Sequence, residues 1–106
     1  MIKGEVTHID HFGNIITNIG TLHWQSDTQL ELRTKSQNKL IEASLAHLTV
    51  NDIRINAIQT AYHKVHAGDL LLQVDSNGYL EIAVNQGSAL QGLEVSLHDT
   101  IVLNLT

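Results

Sequence analysis

The stretch Leu70-Leu71-Leu72-Gln73-Val74-Asp75-Ser76-Asn77-Gly78-Tyr79-Leu80-Glu81-Ile82-Ala83-Val84 decides the fold class. An apolar run over 70–74 leads into Asp75-Ser76-Asn77-Gly78, and an alternating run over 79–84 leads out. Two strand-like runs around Asn-Gly are the strongest short-range signal of a β-hairpin, because that pair tolerates positive φ at both positions.

Outward from this hairpin the same pattern recurs. Residues 5–10 alternate polar and apolar, 14–19 are β-branched, 29–34 repeat with a period of two, and 54–61 alternate again. Residues 100–105 read as a closing strand. Turn signals fall at 11–14, 25–27, 36–38, 50–52, 67–69, 75–78 and 98–99. The chain has no proline, so these turns rely on Gly, Asn, Asp and Ser. One short helix is expected over 87–92, where Ser88 can cap the start and Gly92 the end. Residues 38–47 read as a strand running into a loop in preference to a short helix. With so little helix to cover it, a sheet of short strands must close on itself. The expected fold is therefore all-β: one domain over 1–106, a small closed antiparallel Greek-key barrel with at most one short helix.

Composition narrows the function. Eleven acidic residues against six basic ones, a net charge of −5, disfavour a nucleic-acid partner, which needs a concentrated basic face. Arg33, Lys35 and Lys39 cluster, but they read as a solvated hairpin. No run approaches the roughly 18 apolar residues of a membrane span. Residues 1–5 show no secretory signal, so the cytoplasm is the expected compartment. Cysteine is absent, which removes disulfides and thiolate chemistry.

Seven histidines invite a metal reading: His8, His11, His23, His47, His63, His66 and His98. The pairs three apart, His8/His11 and His63/His66, would share a helix face but point to opposite faces of a strand. They read as surface and turn residues, and no metal site is expected. No nucleophile–base motif, P-loop or dinucleotide fingerprint occurs.

Two turns carry more polar and aromatic chemistry than a turn needs. Asp10-His11-Phe12-Gly13-Asn14 joins a ring face to an amide donor/acceptor pair, a combination suited to a purine. Ser76-Asn77-Gly78-Tyr79 offers a hydroxyl and turn N–H groups to a carboxylate. Spacing alone favours plain turn chemistry for both.

These two turns also carry a family resemblance. Residues 4–19, with Phe12-Gly13-Asn14-Ile15-Ile16-Thr17-Asn18-Ile19, resemble the opening of the C-terminal domain of S-adenosylmethionine hydroxide adenosyltransferases, a domain shared with fluorinating and chlorinating enzymes. Residues 75–89, with Leu80-Glu81-Ile82-Ala83-Val84-Asn85, resemble its second signature, and Thr60-Ala61-Tyr62 followed by Gly68-Asp69 its middle. The resemblance implies cleavage of S-adenosylmethionine, as substrate and not cofactor, into adenosine and methionine. In that family a larger N-terminal α/β domain holds the nucleophile, so no catalytic residue is expected in these 106 residues. The barrel walls the substrate pocket at a subunit interface, typically of a homotrimer.

Residue by residue, the resemblance implies that Asn14 reads the adenine edge, Phe12 lines the pocket and Tyr62 stacks on the base. It implies that Ser76 holds the methionine carboxylate and that Glu81 faces the methionine ammonium. Backbone groups at Asn85 and Gln86 would meet the adenine. Asn77 stands where halogenating members carry a basic residue, which favours hydrolysis over halogenation. His98-Asp99 replaces the family's Gly-Asp turn. The alternatives are a stand-alone nucleoside-binding module without chemistry and a trimerisation module.

Overall fold

Ten strands form the regular structure of a computed structural model that describes residues 1–60, 66–85 and 93–105. They are β1 (Ile2–Ile9), β2 (Ile15–Thr17), β3 (Thr21–Trp24), β4 (Gln29–Arg33), β5 (Asn38–Glu42), β6 (His47–Val50), β7 (Ile53–Asn56), β8 (Leu70–Val74), β9 (Leu80–Val84) and β10 (Thr100–Asn104). The helix expected over 87–92 falls outside the described residues.

Seven strands make one antiparallel sheet in the order β7-β6-β10-β1-β2-β9-β8. Its two edges meet: Ile58, just past β7, bridges Leu72 of β8, and the Gln59 N–H donates to the Leu72 carbonyl at 2.8 Å. The sheet is thus a nearly closed barrel, as expected, and it has few open edge groups to satisfy. The chain leaves it after β2, builds the three-stranded sheet β3-β4-β5, and returns as β6. It crosses again from β9 to β10, which slots between β6 and β1.

Alternation sorts the side chains. Val6, Ile15, Leu48, Val50, Leu72, Leu80, Ile82, Ile101 and Leu103 are buried inside the barrel. Leu22, Leu30, Leu32 and Ile41 of the smaller sheet join the same core. Thr17 is also fully buried, and its hydroxyl donates to the Leu80 carbonyl at 2.8 Å, so the polar atom is satisfied.

The structure departs from the sequence reading in four places. β1 begins at Ile2, earlier than expected, because Ile2–Glu5 find partners on β10. β7 stops at Asn56, not at 61, because Ala57 turns to φ +66° and donates its N–H to the Ala46 carbonyl. β3 and β6 were not anticipated; each has four residues and is held by its neighbours, β6 by a partner on both sides. The Asn-Gly pair at 77–78 does not use positive φ twice, since only Gly78 does. The two-residue turn with both φ positive is instead Asn51-Asp52, at +50° and +65°, between β6 and β7.

Two substitutions test this packing. Ile82→Ala should cost about 2–5 kcal/mol in urea denaturation, as large-to-small changes in a full core do. Gly20→Ala should also destabilise, by more than about 1 kcal/mol. Gly20 sits at φ +131°, and an added Cβ would lie 2.5 Å from the Arg33 carbonyl oxygen. Wild-type midpoints for either variant would contradict the assigned core and turn.

Candidate functional site

The two chemistry-bearing turns share one construction. In each, an aspartate opens a three-residue loop and folds its carboxylate back over the backbone. Asp10 Oδ1 accepts the N–H of Phe12 and of Asn14, both at 2.9 Å. Asp75 Oδ1 accepts the N–H of Asn77 at 2.8 Å and of Tyr79 at 2.9 Å. Gly13 N–H donates to Asp10 C=O, Gly78 N–H to Asp75 C=O, and both glycines take positive φ. This is a type I turn followed by a left-handed residue, the usual three-residue hairpin connection.

The pairing of β2 with β9 fixes where these turns stand. Ile15 faces Ile82 and Ile16 faces Glu81, so the strands run antiparallel and the turns lie at opposite ends of one face. At roughly 3.3 Å per residue the separation is about 10 to 13 Å. Between them, on the face away from the core, the register lines up His8, Ile16, Glu81 and Gln73. Leu71 and Ala83, on the same side of β8 and β9, are buried yet stand outside the core cluster.

At the first turn Phe12 is 75% exposed, with its ring edge-on to His11. Asn14 is half-buried, and its amide N–H donates to Asp10 Oδ2 at 3.2 Å. The amide is therefore oriented before any ligand arrives, with its carbonyl oxygen as the remaining acceptor. Asp10 sets this orientation, and the sequence reading did not include it in the site. The repeat Asp-x-x-Gly at 10–13 and 75–78 was the available signal. Burial pushes the Asp10 carboxyl up. The N–H groups of Asn14 and Phe12, the Asn14 amide and nearby His8 outweigh this and hold it below the usual carboxylate range.

At the second turn Ser76 and Asn77 are exposed at the tip. Glu81, midway along the face, is only 7% exposed, and Gln73 donates to its Oε1 at 3.3 Å. Burial raises its pKa; Asp10 and Asp75 add to that, and the Gln73 hydrogen bond opposes it. Asn85 is buried at the far end, its C=O accepting from Gly68 N–H and its own N–H donating to Asp69 C=O. Tyr62 and Gln86 lie outside the described residues.

The histidines need one correction. His8, His11, His23, His66 and His98 are exposed, but His47 is buried. Its register partners Asn56 and Asn104 flank it on both sides, and its Nδ1 has no hydrogen-bond partner among the described residues. His63 lies outside them. Among the described residues no three His, Asp or Glu side chains gather as metal ligands, and no helix is long and apolar enough to cross a membrane.

Two outcomes follow from the electrostatics. Asp10→Ala removes three hydrogen bonds and should cost about 1–2 kcal/mol in thermal or urea unfolding. Glu81 binds its proton more tightly folded than unfolded, so its contribution to stability falls as pH rises from about 4.3 through the raised value. Glu81→Gln should therefore unfold at a higher temperature than wild type at pH 7, with a smaller difference at pH 4. An unchanged or lower melting temperature at pH 7 would contradict a strained Glu81.

Known proteins share the fold. In solved structures, the chain is similar to an uncharacterized conserved protein from Thermotoga maritima, with 29% identity and a TM-score of 0.65 over 96% of this chain. It is also similar to a conserved hypothetical protein from Thermus thermophilus, with 26% identity and a TM-score of 0.68 over 96% of this chain. The chain spans about a third of each, 35% and 34% of their lengths. The family model for the SAM hydroxide adenosyltransferase C-terminal domain matches residues 4–102, a span that contains both aspartate turns and the face between them. The chain belongs to the SAM hydroxide adenosyltransferase C-terminal domain family.

Proposed function

We propose that this chain is the substrate-walling domain of an enzyme that cleaves S-adenosylmethionine with water into adenosine and methionine. The observation that carries the reading is the family match over 4–102, within which both aspartate turns frame a single face. The Asn14 amide, pre-oriented by Asp10, is the adenine reader, and the exposed Phe12 ring is the apolar surface beside it. By resemblance Tyr62 adds a stacking ring, and the backbone around Asn85 and Gln86 completes the adenine end, with Asn85 anchored by its N–H to Asp69 and its C=O to Gly68. Ser76 and Asn77 receive the methionine carboxylate, and Glu81 faces the ammonium.

The reaction asks little covalent work of this domain. A water oxygen forms the bond to the ribose 5′ carbon, and the C–S bond breaks. Sulfur keeps the electron pair and becomes a neutral thioether, and one proton leaves the attacking water. The sulfonium is already an activated leaving group, so orientation and exclusion of bulk water are the protein's main contributions. This domain holds the two ends of the substrate, and an N-terminal partner domain positions the water. The assembled enzyme is a homotrimer, with the barrel facing a neighbouring subunit's N-terminal domain.

The test is turnover with and without that partner. The chain alone should release no adenosine, and the chain combined with a family N-terminal domain should release it. Asn14→Ala should weaken adenosine binding about tenfold in isothermal titration, because one purine edge loses its partner. Unchanged affinity would remove Asn14 from the site, and adenosine release by the pure chain would overturn the division of labour.

A further inference from the structure

A cavity of about 350 Å³ lies beside the second turn, lined by Thr7, His8, Ile16, Asn18, Asp75, Asn77 and Tyr79. Thr7 and His8 reach it through an irregularity in β1. Val6 pairs with Thr17 and His8 with Ile16, so Thr7 is an extra residue with no partner position of its own. In a regular strand, consecutive side chains point to opposite faces. A bulge suspends that rule locally, and bulges gather beside binding sites where they re-aim a side chain. Here it sets His8 level with Ile16 on the outer face, while Val6 keeps its place in the core.

The lining groups are chemically selective. The His8 ring, the Tyr79 hydroxyl, and the Asn18 and Asn77 amides can all donate, and the Thr7 hydroxyl, which itself donates to the Ile16 carbonyl at 3.3 Å, can accept. The Asn18 oxygen accepts the Glu5 N–H at 2.7 Å, which leaves its amide N–H groups as what it offers. Asp75 is the one carboxylate in the lining, and its Oδ1 is taken by the Asn77 and Tyr79 N–H groups. His8 is the one lining residue that can carry positive charge. Several donors, one carboxylate and an imidazole around about 350 Å³, room for a small molecule, match a zwitterionic α-amino acid head. Its carboxylate would meet the donors, and Asp75 would join Glu81 in facing its ammonium.

We propose that Thr7 and His8 are specificity-determining residues for the amino-acid end of the ligand, with His8 the donor to its carboxylate. This rests on the function proposed above. It adds a bulge in β1 to an end that the sequence reading gave to Ser76, Asn77 and Glu81 alone.

The test is an amide chemical-shift titration of the 106-residue chain with L-methionine, L-methioninamide and adenosine. Methionine should shift Thr7, His8, Asn18 and Asn77, and methioninamide, which lacks the carboxylate, should bind at least about tenfold more weakly. His8→Ala should weaken methionine about tenfold and His8→Arg restore it, as a purely structural role would not. Both variants should leave adenosine affinity unchanged. If methionine binds His8→Ala as well as wild type, or methioninamide as well as methionine, while adenosine still shifts Phe12 to Asn14, this inference fails and the proposed function stands. If adenosine fails to shift Phe12 to Asn14, the proposed function falls and this inference with it.

Discussion

The pairing of β2 with β9 is the constraint on which the rest depends. It holds only two registered pairs, Ile15 with Ile82 and Ile16 with Glu81, yet it joins the N-terminal hairpin to the hairpin of β8 and β9. Strand periodicity makes the register all-or-none: a slip of one residue would send Glu81 into the barrel and Ile82 to the outside. Fully buried Ile15, Leu80 and Ile82, with the Thr17 hydroxyl tied to Leu80, hold it in place. Core packing on one side of the pair thus dictates which polar groups meet on the other.

That outer face is built against some local cost. Glu81 is almost fully enclosed, and two other carboxylates raise its proton affinity further. A structural glutamate would be better placed in solvent or beside a cation. Asp10 and Asp75 are carboxylates of another kind. Their oxygens saturate the N–H groups of two tight turns and so fix the side chains those turns present. Carboxylates thus serve both as turn scaffold and as an enclosed acid, and the backbone N–H groups they accept decide which.

Much of this was legible in the sequence. Alternation over 70–84, with Asp75-Ser76-Asn77-Gly78 between, located a hairpin because strand period and turn chemistry are local properties. The closed all-β fold followed from many short strands and few helical segments. β3 and β6 were missed because four residues carry too little periodicity, and partners far along the chain make them strands. The burial of His47 depends likewise on β7 and β10 flanking it. Within the candidate site, Phe12, Asn14, Ser76 and Glu81 were named from the family resemblance. Asp10 was not, because its role is to orient a neighbour. The Thr7 bulge was invisible because it exists only as a mismatch between two strands.

The most direct test of a single ligand face between two aspartate turns is an intermolecular NOE experiment on isotope-labelled protein with bound adenosine. The account predicts contacts from the adenine protons to the Phe12 ring and the Asn14 side chain. Contacts to the β6–β7 wall, around His47 and Asn56, in place of these would contradict it.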